Sequence, residues 1–279
     1  MPSHTKLRSF LKTPFFVLRQ LRQRRKHLFF NWDFGTSDSR LTESSISNLR
    51  KNGISFLPNL LDAESLAACQ AEYLRFIEKN KNPYAPSSFL TNNFLDQSKF
   101  LSLLALNPTV LDIISGYLGK TFYLTRTEAV RTYPLETSSA GSYQWHHDCQ
   151  GRQVHLMFLP FGHERGCQGM KYLRGSHNRI YGHYSGLSIG SRIDVDEQKY
   201  AKRIIEVAGC AGTVALFDAN GLHSGVRSKS KTRDAVIFCY SSRKKNASNI
   251  ALSQSISQLL STSQKNFVKY GSNLVLGQY

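Results

Sequence analysis

The chain has 279 residues, of which 41% are hydrophobic and 20% are charged, and this composition is typical of a globular protein rather than a disordered or fibrous one. No stretch approaches the roughly 18 consecutive apolar residues that a membrane-spanning helix needs, which excludes an integral membrane protein of that kind. The formal net charge of +17 indicates an acidic partner, a membrane surface or an anionic substrate.

The excess positive charge lies at the two ends of the sequence. Residues 1–32 contain 8 Lys and Arg and no acidic residue, residues 223–279 contain 9 against one acid, and residues 33–222 hold 19 against 18. The first segment also carries apolar side chains, so it has the composition of a basic amphipathic stretch. Three interpretations of it stay open: a surface helix attracted to anionic lipid, a transit peptide, and a solvated basic arm.

The chain divides into a basic arm at 1–40, a globular domain at 41–245 and a C-terminal extension at 246–279 that packs on the domain. The five cysteines are odd in number, widely spaced and without a C-x-x-C pair, which favours neither a disulfide framework nor a zinc knuckle. A reducing compartment is therefore expected. We expect a cytoplasmic protein that contacts membranes peripherally through residues 1–32.

Helices are predicted for the first part of the globular domain. One covers 44–51 and ends at Gly53, and a strand follows over 54–57. Asp62 is placed to cap the next helix, in which five apolar residues recur at spacings of three and four and make one buried face: Leu66, Cys69, Tyr73, Phe76 and Ile77. Further helices are predicted over 98–106 and from 107 to 119, where Asn-Pro starts the second one.

After residue 121 the pattern changes to short β-rich runs separated by Gly, Asn and Ser turns, which is typical of an antiparallel sandwich or barrel. The runs cover 122–133, 154–159, 169–173, 204–207, 213–217 and 235–240. Residues 178–203 show no clear periodicity and are long enough for a functional excursion or lid. The predicted fold class is therefore mainly β with flanking helices (α+β).

Two segments carry residues of the types that bind metals. His146 and Asp148 lie two apart shortly before a predicted strand, so in an extended segment their side chains point to the same face. His223 follows another β-run, 75 residues after Asp148. Two imidazoles and one carboxylate, from two strands that face each other across a barrel, compose the facial triad that leaves positions open on Fe(II) for oxygen chemistry.

Each of these features is a weak signal by itself. The chain has nine histidines, and a single histidine is more often a surface or core residue than a ligand. The hypothesis depends on the conjunction with Arg233, which opens the β-run at 235–240. An oxygenase that uses a 2-oxoacid must bind a carboxylate away from its metal, and the planar fork of a guanidinium suits that role.

Five segments together resemble the phytanoyl-CoA dioxygenase branch of the Fe(II)/2-oxoglutarate-dependent oxygenases. They are NGISFLPNLLDAESLAAC, WHHD, GCQGMKYLRGSHN, AGTVALFDANGLHSG and the downstream Arg233, and they span about 49–242. Thr213 departs from the acidic residue that is common at that turn in the family. The resemblance implies a double-stranded β-helix, a jelly-roll-like or cupin-like barrel with flanking helices, and iron ligation by His146, Asp148 and His223.

The same resemblance implies how a co-substrate is held. Arg233 is the implied partner of the distal carboxylate of 2-oxoglutarate, since Arg227 follows the last ligand too soon and Arg243 lies beyond the strand. His147 and Ser224 are further candidates for contact with 2-oxoglutarate. The implied enzyme is a dioxygenase that uses Fe(II), 2-oxoglutarate and O₂, hydroxylates its substrate, and releases succinate and CO₂. A carboxylate ligand rather than a small residue at 148 argues for hydroxylation instead of halogenation.

Substrate identity is weakly specified by the sequence. Candidate contacts are Trp145, Arg152 and Tyr172, each of which is as readily explained by packing. Basic clusters at 199–203 and 227–231 favour an anionic small molecule, or a substrate linked to a carrier, lipid or glycan. A solvated basic face explains them equally well.

Two other classes of function were weighed. One is a non-catalytic basic protein that binds anionic membrane or nucleic acid on a cupin-like fold, which the triad and the nearly neutral body disfavour, so no nucleic-acid partner is expected. The other is a cupin-like metal protein that uses no 2-oxoacid, and such a protein has no need of Arg233.

Overall fold

The fold was obtained as a computed structural model, which describes residues 39–80, 89–92, 94–119, 122–134, 143–148, 153–179, 193–226, 228–242, 250–268 and 274–276. The predictions for residues 1–38, for half of the 178–203 excursion (180–192), and for Arg152, Arg227 and Arg243 lie outside the described residues. The four cysteines within the described part are free thiols: Cys69, Cys167, Cys210 and Cys239.

The described α-helices are α1 (Ser39–Asn52), α2 (Ala63–Lys79), α3 (Lys99–Ala105), α4 (Pro108–Leu118), α5 (Glu197–Tyr200) and α6 (Thr262–Asn266). The described strands are β1 (Ile54–Phe56), β2 (Phe89–Asn92), β3 (Tyr123–Thr132), β4 (Gln153–Leu159), β5 (Met170–Leu173), β6 (Ile204–Val207), β7 (Thr213–Asp218), β8 (His223–Gly225), β9 (Arg233–Ser241), β10 (Ile250–Leu252) and β11 (Leu274–Leu276).

Local capping explains where the long helices begin and end. The Asp62 carboxylate accepts a hydrogen bond of 2.7 Å from the backbone N–H of Ser65, and so it caps α2 as predicted. The Asn107 side chain caps α4 in the same way. Gly53 follows α1 with φ of 79°, a left-handed conformation that favours glycine. Four of the five apolar residues predicted for α2 are buried, and Leu66 is partly buried.

Two antiparallel sheets and a parallel pair of strands, β10 and β11, make up the described β structure. The larger has six strands in the order β1-β7-β4-β9-β3-β2, and the smaller has three in the order β6-β5-β8. The predicted β-runs are all confirmed as strands, with ends that differ by one or two residues. Residues 223–225, which lie outside the predicted β-runs, form a further strand, β8, because their backbone pairs with β5.

The larger sheet has two differently covered faces. One face packs against the helices, and its buried residues share a core with helical residues such as Tyr73 and Leu111. The other face packs against the smaller sheet, where Met157 and Phe217 of the larger sheet cluster with Met170 and Tyr172 of the smaller one. We call this second side the inner face, and the candidate site lies on it.

The described residues of the C-terminal extension belong to the main core. Leu252, Ile256 and Phe267 are buried in the cluster that includes the helices, and Gln264 donates a hydrogen bond of 2.8 Å to the carbonyl of Leu106. Residues 99–118 are apolar and long enough to cross a membrane by length and composition alone. However, 67% of the tested window is buried inside the protein, and the segment is divided between α3 and α4.

Candidate metal centre

His146, Asp148 and His223 converge at one point on the inner face. One potential ligand atom from each residue lies within 4.8 Å of the others. His146 Nε2 is 3.3 Å from Asp148 Oδ1, and His223 Nε2 is 3.4 Å from Asp148 Oδ2. Both histidines are buried, and the aspartate is partly buried. The three residues named from the sequence therefore form one cluster.

The backbone holds this cluster together. The N–H of His146 donates to the carbonyl of His223 (3.0 Å), the N–H of His223 donates to the carbonyl of His146 (2.9 Å), and the N–H of Asp148 donates to the carbonyl of Ala219 (2.8 Å). The prediction that the ligands come from strands facing each other across a barrel is wrong in this respect. The two histidine segments are hydrogen-bonded neighbours, because each supplies both groups of an antiparallel bridge.

The hydrogen bonds of the two imidazoles show which ring nitrogens are free to bind a cation. Nδ1 of His146 lies 2.7 Å from the carbonyl of Gln144, and Nδ1 of His223 lies 2.9 Å from the carbonyl of Gly221. A carbonyl accepts only, so each Nδ1 carries the hydrogen and each Nε2 presents a lone pair. Two lone pairs and a carboxylate then face one another. This donor set repels itself unless a cation lies among them, and it suits Fe(II).

The electrostatics keep these groups in their metal-binding forms. Burial lowers the pKa of His146 below its ordinary value, so the ring stays neutral at neutral pH. Burial by itself raises the pKa of Asp148, but positive charge and hydrogen bonds from His223 and His146, supplied when their Nε2 atoms are protonated, outweigh burial and hold the pKa well below its usual range; a bound cation would act on the carboxylate in the same sense. Metal ligands of these types must be deprotonated, and both groups meet that requirement.

Arg233 begins β9, as predicted, and carries a buried nitrogen. Its Nε has no hydrogen-bond partner among the described residues, and burial lowers the pKa of the guanidinium. A Cβ added to Gly225 would lie 3.4 Å from Arg233 Nη1, so the guanidinium approaches β8 where a glycine leaves room. Arg233 is partly buried as a residue while its Nε is fully buried, so an anion would stabilise this cation, and a carboxylate matches its fork of donors.

His147 and Ser224 are buried. His147 lies between His146 and Asp148 in the sequence, and Ser224 follows His223. Since side chains alternate along extended backbone, we expect both to point away from the face of the triad. Their contact with 2-oxoglutarate stays a prediction.

Trp145 and Tyr172 are packing residues around the cluster. The indole N–H of Trp145 donates to Glu197 Oε1 (3.0 Å), and its ring packs with Leu222. The hydroxyl of Tyr172 donates to the carbonyl of Asp218 (2.9 Å), and the side chain is fully buried. Packing, the alternative considered from the sequence, therefore accounts for the contacts of both residues.

Sequence reasoning missed three polar residues on the inner face. They are Arg126, Glu128 and His155. In the sheet register Arg126 lies opposite Cys239, and Cys239 lies opposite His155, so Arg126 and His155 point to the same face of the sheet. Arg126 Nε lies 3.0 Å from Glu128 Oε1, and half of the Arg126 side chain is exposed. Burial raises the pKa of Glu128. Because side chains alternate along a strand, the sequence indicates that Arg126 and Glu128 lie on the same face of β3. Only the order of the strands in the sheet places that pair beside the triad.

His155 is the third of these missed residues. It is fully buried on β4, and its Nδ1 lies 3.8 Å from Asp148 Oδ2. Its ring meets that of Phe217 edge-on, with centroids 5.2 Å apart, and Phe217 also contacts the ring of His223. Burial lowers the pKa of His155 to about 3, so the ring is neutral. Among nine histidines, nothing in the sequence marks this one.

Solved structures with a similar fold are metal-dependent enzymes. The non-heme alpha ketoglutarate dependent epimerase SnoN aligns with a TM-score of 0.57 and 18% identity, over 73% of this chain and 82% of that one. EctD from S. alaskensis with bound Fe aligns with a TM-score of 0.59 and 17% identity, over 77% of this chain and 80% of that one. The carbocyclase SnoK aligns with a TM-score of 0.59 and 17% identity, over 80% of this chain and 92% of that one. At these identities the likeness shows the fold alone.

No protein-family model matches the sequence, and no curated protein matches it. The function is therefore argued from the geometry of the site.

Proposed function

We propose that this protein is an Fe(II)- and 2-oxoglutarate-dependent dioxygenase that hydroxylates its substrate with release of succinate and CO₂. The observation that carries the proposal is a cluster of two imidazole Nε2 atoms and a carboxylate within 4.8 Å of one another, together with a buried guanidinium nitrogen that has no partner among the described residues. His223 and Gly225 lie on the same face of β8, and Arg233 lies against Gly225. Two residues of strand separate the backbones of His223 and Gly225 by about 7 Å, a spacing compatible with a five-carbon dicarboxylate that reaches from the metal site to Arg233.

The residues divide the work between metal and co-substrate. His146 and His223 would hold the iron through Nε2, and Asp148 through its carboxylate. Bound iron supplies the activation of oxygen. Arg233 would bind the distal carboxylate of 2-oxoglutarate and fix its orientation toward the metal. Apolar inner-face residues such as Met157 and Phe217 exclude water from this region.

The fold and the sequence motifs support a narrower placement. We propose a double-stranded β-helix of the phytanoyl-CoA dioxygenase branch. Two stacked antiparallel sheets, the metal-ligand spacing and the likeness to SnoN, EctD and SnoK support it. SnoN is an epimerase and SnoK is a carbocyclase, so identification of the product is needed to distinguish hydroxylation from these other reactions.

We propose an anionic substrate. The half-exposed Arg126 stands on the same face as the triad, and one of its nitrogens contacts Glu128. The guanidinium also interacts with the buried Cys239 thiol, and its half-exposed end is open to a carboxylate or phosphate. A small molecule or a carrier-, lipid- or glycan-linked substrate meets this requirement. Arg126→Gln should reduce substrate-stimulated succinate release and leave iron and 2-oxoglutarate binding intact.

We also propose peripheral membrane contact through residues 1–32 of a cytoplasmic enzyme. Eight basic residues without an acid, interspersed with aromatic and aliphatic ones, support attraction to anionic lipid.

An anaerobic titration tests the catalytic proposal. Addition of Fe(II) and 2-oxoglutarate should give a weak visible charge-transfer band, which Asp148→Ala abolishes and the surface variant Asp196→Ala retains. When O₂ and a panel of anionic metabolites are then added, the metabolite that is the substrate should stimulate succinate release and be converted to a product that is one oxygen atom heavier than the metabolite itself. A missing band in the unaltered protein would contradict the oxygenase assignment, and retained binding to anionic vesicles would then favour the non-catalytic alternative.

A further inference from the structure

The third histidine near the metal centre has a hydrogen-bonding pattern unlike that of the two ligands. His146 and His223 each commit Nδ1 to a backbone carbonyl, so Nε2 is the atom that each presents to Asp148. His155 instead has a buried Nε2 without a hydrogen-bond partner among the described residues, and its Nδ1 faces Asp148. The backbone therefore does not impose the ligand tautomer on His155.

The surroundings of His155 select the opposite tautomer. With the hydrogen on Nε2, an N–H group would be buried unpaired and a lone pair would face the Asp148 carboxylate. With the hydrogen on Nδ1, the N–H points at Asp148 Oδ2, the favourable arrangement of donor and acceptor. The separation of 3.8 Å exceeds a hydrogen bond, and a small rotation of the carboxylate closes it.

The side chain of His155 is also held in place. It is 2% exposed, and its ring packs edge-on against Phe217. The ring of Phe217 lies 5.4 Å from that of His223, so one aromatic side chain supports both a ligand and the third histidine. A fixed donor beside a carboxylate ligand limits the rotation of that carboxylate.

We propose that His155 is a positioning residue that donates its Nδ1–H to Asp148 Oδ2 and holds this carboxylate in the orientation that binds the metal. The inference rests on the proposed metal centre, because it concerns the residue behind one of its ligands. It does not require His155 to touch the metal, 2-oxoglutarate or substrate.

Binding of Co(II) to the full chain without 2-oxoglutarate tests the proposal. His155→Leu removes the donor and should weaken Co(II) affinity 10- to 100-fold, as is typical when the support of a metal ligand is lost. His155→Asn places an amide N–H at the position of Nδ1 and should recover most of the affinity and the visible Co(II) spectrum. His177→Leu, which alters another buried histidine, should leave both unchanged.

The outcomes separate the two levels of the argument. If the unaltered protein fails to bind Co(II), or if Asp148→Ala binds it equally well, the metal centre itself is refuted. If those behave as proposed and His155→Leu binds Co(II) with unchanged affinity, the role of His155 is overturned. If His155→Asn loses as much affinity as His155→Leu and its spectrum changes, His155 is a ligand rather than a donor. Should His155→Leu fail to fold, His155→Phe supplies the comparison.

Discussion

Replacement of Arg233 by Met separates a functional cation from a structural one. Methionine keeps much of the length of the side chain and removes the charge and its donors. The buried Nε has no partner among the described residues, so the folded protein carries a desolvation cost that the variant relieves. We expect Arg233→Met to raise the free energy of unfolding by about 2 kcal/mol in the absence of 2-oxoglutarate.

The same variant should lose its affinity for 2-oxoglutarate. A guanidinium paired with a carboxylate makes two charge-assisted hydrogen bonds, each contributing about 1.5–3 kcal/mol. A loss of about 3 kcal/mol corresponds to a rise of more than 100-fold in the dissociation constant. The charge-transfer band, titrated anaerobically with 2-oxoglutarate in the presence of Fe(II), measures this change, and urea unfolding of the metal-free protein measures stability.

Arg131→Met is the matched control. Arg131 contacts Asp234 with two nitrogens, at 2.7 and 3.1 Å, so its loss should lower stability and leave 2-oxoglutarate affinity unchanged. The reasoning is refuted if Arg233→Met unfolds more easily than the unaltered protein and still binds 2-oxoglutarate with its original affinity. Arg233 would then be a core residue whose charge serves the fold.

Three other changes test the fold and the ends of the chain. Burial lowers the pKa of His163 to about 4, so between pH 6.5 and 4 the unfolded chain binds a proton that the folded protein does not. Urea unfolding should therefore show that the free energy of unfolding falls by about 2 kcal/mol between pH 6.5 and 5 because of this group. In His163→Phe the free energy of unfolding should fall less steeply with pH over the same range. Gly53→Ala should lower the free energy of unfolding by about 3 kcal/mol. A Cβ at this position would lie 2.3 Å from the Tyr172 hydroxyl and 2.5 Å from His177 Nδ1, and the backbone φ is +79°. An unchanged melting temperature would contradict this expectation. Deletion of residues 1–32 should abolish flotation with vesicles of anionic lipid, and equal flotation of both forms would assign that binding elsewhere.

Local signals in the sequence predicted most of the secondary structure. Asp62 caps α2, Asn107 caps α4 and Gly53 ends α1, and each depends only on residues within a turn or two. The triad could also be predicted from the sequence, because His146 and Asp148 are only two residues apart and His223 follows a recognisable strand.

Long-range pairing accounts for what the sequence did not predict. The antiparallel bridge between His146 and His223 joins residues 77 positions apart, and no local pattern encodes it. Arg126 and His155 share the face of the triad only because β3, β9 and β4 are neighbours in that order. Strand order is determined by the packing of both sheets, which a single sequence does not reveal.

The backbone bridge between His146 and His223 has a consequence for which metal the protein carries. Two of the three ligands are tied to each other by backbone hydrogen bonds, so the separation of the two imidazoles is set by strand pairing and not by the ion alone. A site of this kind has little selectivity among divalent ions of similar size, and intrinsic affinity alone would favour copper or nickel over iron. The identity of the metal in the cell is then set by supply, and protein purified with a foreign ion would be correctly folded and inactive.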